Sequence, residues 1–113
     1  MDETNALRQN LNHLKDVLQQ NGEDHFAGLV ATALSGSEGD LKAFLVSETL
    51  WGGPGSIADM AGHGKGRQVQ RLIEAALIKL GKQQINDGVA EYHAAYHTQI
   101  WVAKYQSWRR KGI

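Results

Sequence analysis

Two histidines near the end of the chain have the spacing of a metal site on one helix face. His93 and His97 lie four residues apart, so both imidazoles can reach a single ion. Glu91 is not on that face, and a third ligand would have to come from a distant residue such as His63. Packing of His97 beside Trp101 explains the pair more simply. We therefore expect no metal and no cofactor.

A second group of candidates lies in the middle of the chain. The glycine-rich segment 62–67 precedes a helical pattern, and the exposed amides at the start of a helix favour anions. It is not a P-loop, because a P-loop has serine or threonine after its lysine, whereas glycine follows Lys65 here. Ser56, Asp59 and His63 are the residue types of a hydrolytic triad, yet the GxSxG nucleophile elbow is missing. Helix capping explains Ser56 and Asp59 without a reaction. We predict no catalytic residue.

Composition excludes several other classes. The chain has no cysteine, so it has neither a disulfide framework nor a cysteine zinc site. The run Trp108-Arg109-Arg110-Lys111 resembles a nucleic-acid contact, but cations are also common where a helix ends, and the net charge is zero. No stretch approaches the roughly 18 apolar residues of a membrane span, and the acidic start is unlike a signal peptide. We expect a cytoplasmic protein without membrane or direct nucleic-acid contacts.

Apolar spacing is helical nearly throughout and predicts one all-α domain over 1–113. The expected bundle has about five main helices and a Gly-rich loop in the middle. The first covers 3–20 and stops at Asn21-Gly22, the second begins at Asp24 as N-cap, and the third starts from Ser37 with Asp40 completing a capping box.

The remaining helices follow the irregular segment 51–56. A short helix is expected from Ile57, the strongest apolar period runs from Val69 to Leu80, and the last helix covers about 89–110. The last helix has two apolar stripes, so it lies inside the bundle or offers one side to a partner. The residues predicted to be mostly buried are Leu11, Leu14, Phe26, Leu29, Leu45, Leu72, Ile73, Leu77, Tyr96 and Ile100.

Charge is unevenly distributed. Residues 1–50 carry three basic and eight acidic side chains, a net charge of −5, and residues 51–113 carry nine basic and four acidic ones, a net charge of +5. Either the two halves attract each other across the fold, or the acidic half meets a basic partner.

The most distinctive segment is Leu50-Trp51-Gly52-Gly53-Pro54-Gly55-Ser56-Ile57-Ala58-Asp59. It resembles the GGxGSxxD box of small helical bacterial proteins, several of which are similar to immunity proteins of polymorphic or contact-dependent growth inhibition toxin systems. The matching residues are Gly52, Gly53, Gly55, Ser56 and Asp59, and Ile57-Ala58 replaces a more usual aromatic-Asn pair. The resemblance covers roughly 23–62 and implies a protein that binds a toxin. We expect the box itself to be a structural loop that sets the angle between helices.

These observations predict an immunity protein that neutralises a cognate, basic toxin, such as a nuclease, by stoichiometric occlusion. The residues expected to bind the toxin are Glu23, Asp24, Glu38, Asp40, Glu48 and Trp51, with Trp51 as the apolar anchor. The alternatives are a small His-based metal protein or an enzyme acting on a phosphorylated substrate, and a helical nucleic-acid-binding regulator.

Overall fold

The fold is described by a computed structural model that covers residues 5–52, 55–87 and 92–111. These residues form α-helices and no strand, so the predicted all-α class is confirmed. The helices are α1 (Asn5–Gln20), α2 (Asp24–Ser35), α3 (Glu38–Leu45), α4 (Glu48–Trp51), α5 (Ile57–Met60), α6 (Arg67–Asn86) and α7 (Tyr92–Lys111). Helices α4 and α5 are single turns, and the other five are the main helices that the apolar period predicts.

Helix α1 buries one stripe completely. Leu7, Leu11, Leu14 and Leu18 recur at intervals of four, three and four, and all four are fully buried where α1 packs against α2 and α6. Gly22 then takes a left-handed φ of 78°, and the Glu23 amide donates to the Leu18 carbonyl over 2.8 Å. This geometry closes the helix as the Asn-Gly pair predicts.

Capping residues set the starts of the next short helices. Ser37 accepts from the Asp40 amide at 3.1 Å, and the Asp40 carboxylate accepts from the Ser37 amide at 3.1 Å, which confirms the capping box. Asp24 is not an N-cap, because it already lies in the first turn of α2 and Glu23 holds the cap position without a side-chain cap bond. Helix α3 ends at Leu45, and α4 restarts with Ser47 as its cap.

The last two helices build the other side of the bundle. Helix α6 packs against α1 and α7, and α7 also contacts α4. The strongest apolar period is confirmed as a helix, and α6 continues beyond the last residue of that period to Asn86. No helix of the described residues is both long and apolar enough to cross a lipid bilayer.

The predicted core is correct in part. Leu11, Leu14, Leu45, Ile73 and Leu77 are buried, and Phe26 and Leu29 are partly buried. The prediction is wrong for Leu72, which is 52% exposed beside Ile73, and for Ile100, which is 41% exposed. The Tyr96 side chain lies outside the described part of the chain.

The error at Ile100 reflects the choice between two apolar stripes of α7. Among the side chains of α7 that the structure describes, those of Thr98, Val102 and Tyr105 are the most buried, with Trp101 and Trp108 partly buried beside them. Tertiary contacts therefore turn the Trp101–Tyr105–Trp108 side inward, and Ile100 is directed toward solvent.

Candidate functional site

Four of the carboxylates predicted to bind a partner are exposed. Asp24 lies in the first turn of α2, Glu38 and Asp40 lie in the first turn of α3, and Glu48 lies in the first turn of α4. We call these four side chains the acidic surface. Lys42 is the one lysine or arginine between Asp24 and Gly52, and its ammonium lies 3.8 Å from the Glu38 carboxylate.

The acidic surface is extended. Asp24 begins α2 and Asp40 lies against Gly36, just beyond the other end of that helix. A helix of 12 residues spans about 18 Å, so the two carboxylates are separated by approximately that distance along α2. An extended surface of this kind matches a long groove lined by cations on a partner better than it matches a partner's small pocket for a single anion.

Glu23 has a different role from the other predicted acids. Its side chain is partly buried, and its carboxylate accepts a hydrogen bond of 3.1 Å from the Gly62 amide. Its carboxylate therefore joins the start of α2 to the link between α5 and α6. This hydrogen bond joins the two halves of the chain through a backbone amide rather than through a basic side chain, and it makes Glu23 less available to a partner than predicted.

Trp51 belongs to the core. It is 1% exposed, and its indole N–H donates to the Gln84 amide oxygen over 3.1 Å. Gln84 in turn donates to the Leu45 carbonyl over 2.7 Å, and the Trp101 indole donates to the Trp51 carbonyl over 3.0 Å. The prediction of Trp51 as an exposed anchor is therefore wrong, because a neighbouring Gly-rich loop does not by itself keep an aromatic ring at the surface.

The glycine box makes a close turn followed by a capped helix. A Cβ added to Gly52 would lie 2.6 Å from the Glu48 Cα, and Gly55 has a φ of 86°. Ser56 is buried and accepts from the Asp59 amide over 3.1 Å, and the Asp59 carboxylate accepts from the Gly55 amide over 3.2 Å. Gly53 lies outside the described residues. These contacts use Ser56 and Asp59 in local structure rather than toward a shared reacting group.

The histidines of the metal-protein alternative are only partly described. His93 and His97 have side chains outside the described part of the chain, and His63 is exposed in the link before α6. Within the described ranges, no three histidine, cysteine, aspartate or glutamate residues come together in a way that could hold a metal ion.

The structure reveals a cleft of about 430 Å³ between α5, α6 and α7, which we call the aromatic cleft. Helix α7 contributes three aromatic rings to the lining, and α6 contributes both polar and apolar side chains. The lining residues are Ala58, Asp59, Ala61, His63, Gln70, Arg71, Ile73, Glu74, Leu77, Trp101, Lys104, Tyr105 and Trp108. Its size is within the range of small-molecule sites.

A partly buried ion pair lies in the α6 wall. Arg71 Nη1 donates to the Glu74 carboxylate, and Glu74 is only 7% exposed. Arg71 Nη2 is also buried, and it has no hydrogen-bond acceptor among the described residues. The pair therefore leaves one guanidinium nitrogen unsatisfied.

On the α7 side of the cleft, a hydrogen bond holds the Tyr105 ring and the Lys104 ammonium covers the two indole rings. The Tyr105 hydroxyl donates to the Ala58 carbonyl over 2.7 Å. Burial raises the pKa of Tyr105 well above its usual range, and the nearby carboxylates of Glu74 and Asp59 raise it further, so Tyr105 remains a neutral donor. The Lys104 ammonium lies 4.8 Å from the Trp101 ring centroid and 5.9 Å from that of Trp108.

The sequence predicts two apolar stripes on the last helix, but it does not predict the cleft. The missed residues are Arg71 and Glu74, whose signal is a pair of opposite charges at i, i+3 on either side of the buried Ile73. A charged pair is usually solvated on a helix surface, so only the packing of α7 over α6 distinguishes this one.

Comparisons with protein-family models, curated proteins and solved structures find no match for this chain.

Proposed function

We propose that this protein is an immunity protein that binds a basic toxin and occludes its substrate groove stoichiometrically. The observation that carries the proposal is the exposure of Asp24, Glu38, Asp40 and Glu48 on helices that contain a single lysine. A nuclease groove is lined by cations that contact phosphates, and carboxylates at intervals along α2 and α3 would replace those phosphates. The site of action would be the cytoplasm, where such a toxin meets its substrate.

The resemblance of the glycine box supports the same class of function. Because Trp51 is buried, the apolar contact must come from another side chain. Phe44 is partly exposed and lies four residues after Asp40, on the same face of α3. We therefore assign the anchor to Phe44, with the acidic surface as the charged rim.

Charge reversal tests the proposal. The variant Asp24→Lys/Glu48→Lys changes two carboxylates that make no side-chain cap bond, whereas Asp40 would confound binding with the loss of its capping box. Rim charges act mainly on the association rate, so we expect slower association with the toxin encoded beside this gene, and a smaller difference at high salt. The control is Asp87→Lys at the exposed end of α6, which makes the same charge change as each of the two single reversals and is compared with them as well as with the double variant.

The measurements are association and dissociation rates over a salt series, together with survival of cells that express the toxin. Phe44→Ala is expected to accelerate dissociation while leaving the association rate nearly unchanged. Equal association rates for the double reversal and the Asp87 control would remove the acidic surface from the interface. Failure to bind any neighbouring toxin, combined with a stoichiometric metal or bound nucleic acid in the purified protein, would favour the metal-protein or regulator alternative.

A further inference from the structure

The aromatic cleft combines ring faces with a guanidinium that lacks an acceptor, and the acidic surface uses neither of them. We propose that this cleft binds a small monoanion in which one carboxylate is joined to a flat apolar body. The flat body lies on the Trp101 and Trp108 rings, and the carboxylate lies between Arg71 and Lys104.

The ring faces supply the apolar part of the site. The indole nitrogen of Trp101 is held by the Trp51 carbonyl over 3.0 Å, which fixes the ring while the side chain lines the cleft. Ring centroids of Trp101 and Tyr105 are 5.7 Å apart, and those of Tyr105 and Trp108 are 6.0 Å apart. The Trp101 and Tyr105 rings are inclined by 31° to each other and the Tyr105 and Trp108 rings by 57°, so a planar ligand stacks on one indole face and meets the other indole at an angle.

Arg71 supplies the polar part. Its Nη1 is occupied by Glu74, and its buried Nη2 has no acceptor within the described ranges. Leaving a buried donor unsatisfied costs free energy that a ligand oxygen would recover. Because Nη2 is shielded from solvent, a lining side chain must move before a ligand reaches it.

Lys104 is the lining side chain that covers the indole rings. It is exposed and flexible, and its ammonium lies over the same two indoles on which the ligand would stack. A flat ligand displaces the ammonium from the rings, and the ammonium then contacts the ligand carboxylate. One movement therefore uncovers the ring faces and brings a second cation to the anion.

The neighbouring charges select the class of anion. Glu74 and Asp59 line the same cleft, so a phosphate dianion would meet two carboxylates, one of them already paired with Arg71. A carboxylate carries one charge, and one of its oxygens can accept a hydrogen bond from Arg71 Nη2 while Nη1 stays paired with Glu74. The cleft volume of about 430 Å³ admits a ligand of two fused rings.

The first experiment compares three probes of similar shape by calorimetry and by ¹⁵N NMR of the indole N–H groups. The probes are 2-naphthoate, neutral 2-naphthamide and cationic 2-naphthylmethylammonium. We expect 2-naphthoate to bind at least tenfold more tightly than the other two and to shift the Trp101 and Trp108 indole resonances. Equal binding of naphthoate and naphthamide would reduce the site to an apolar groove, and preference for the ammonium probe would reverse its charge selectivity; either result overturns the proposal.

The second experiment tests the two cations with variants. Arg71→Gln is expected to weaken naphthoate binding about tenfold or more, and Lys104→Met several-fold, whereas Lys82→Met, an exposed lysine of α6 outside the cleft lining, should have no effect. Arg71→Gln removes the ion pair between Arg71 and Glu74, so a thermal melt first establishes that this variant folds. Lys104→Met changes an exposed side chain, so the proposal can still be tested with this variant if Arg71→Gln does not fold. Unchanged naphthoate binding by Lys104→Met and by every folded Arg71 variant would refute the assignment.

Discussion

Alanine substitutions at Gly81 and Gly28 make the same chemical change inside two helices, and we expect them to change stability in opposite directions. Gly81 lies in α6 where α7 crosses it. A Cβ at this position would lie 2.8 Å from the Val102 Cγ2 atom and 3.2 Å from both the Thr98 Cγ2 atom and the Trp51 ring. Contacts below 3.0 Å essentially do not occur for real Cβ atoms, so α6 and α7 must shift. Gly28 in α2 has no atom within 4 Å of the same added carbon.

Two terms determine the magnitude. Replacing glycine by alanine in a helix interior gains up to about 1 kcal/mol from helix propensity. Overpacking a well-packed core costs about 1–3 kcal/mol. Gly28→Ala has only the first term and should stabilise the fold by about 0.5–1 kcal/mol. Gly81→Ala has both terms and should destabilise it by about 1 kcal/mol, with a range of about 0–2 kcal/mol.

The assay is urea denaturation followed by circular dichroism, which gives the free energy of unfolding and its denaturant slope. Adding Val102→Ala removes the Cγ2 atom that the new Cβ meets first, so the double variant should lose less stability than the two single variants together. Residues in contact commonly show coupling energies of about 0.5–3 kcal/mol. If Gly81→Ala stabilised the protein as much as Gly28→Ala does, the close approach of α6 and α7 would be refuted.

Three further predictions use the same denaturation assay. Leu77→Ala should lower the free energy of unfolding by about 2–5 kcal/mol, because the Leu77 side chain is 1% exposed. Leu72→Ala should change it by less than about 0.5 kcal/mol, because Leu72 is 52% exposed. Similar losses for both variants would contradict the observed orientation of α6. Gln84→Leu should cost at least about 1–3 kcal/mol, because it leaves the buried Trp51 indole N–H without an acceptor, and a neutral effect would show that water or another group replaces the amide. The wild type should lose stability as pH rises above about 10, because the unfolded chain releases the Tyr105 proton near its ordinary pKa while burial raises the pKa of Tyr105 in the folded chain. The loss of stability that is due to Tyr105 should be absent in Tyr105→Phe.

The cleft and the acidic surface make separable predictions about binding. The acidic surface belongs to α2, α3 and α4, and the aromatic cleft belongs to α5, α6 and α7. Charge reversal at Glu48 should therefore leave naphthoate binding unchanged, and Lys104→Met should leave the association rate of the toxin unchanged. A protein that bound no toxin through the acidic surface could still bind naphthoate in the aromatic cleft.

Local sequence was sufficient to determine the helical class and several helix ends. The leucine spacing of α1 repeats with the helical period, so the buried stripe could be read directly, and all four leucines are fully buried. The starts of α3 and α5 depend on serines that accept bonds from amides three residues later, at Ser37 and Ser56. These features involve atoms within one turn of each other, so a linear sequence contains the information needed to predict them.

Tertiary structure decided what the local pattern left open. Helix α7 is apolar on two sides, and only its contact with α6 and α4 directs Tyr105 inward and leaves Ile100 exposed. Trp51 is buried because Gln84, 33 residues later, supplies an acceptor for its indole. The aromatic cleft likewise joins α6 and α7, whose facing side chains are about 30 residues apart in sequence. No local preference specifies these contacts, because their free energy arises from burial between helices that meet only in the folded chain.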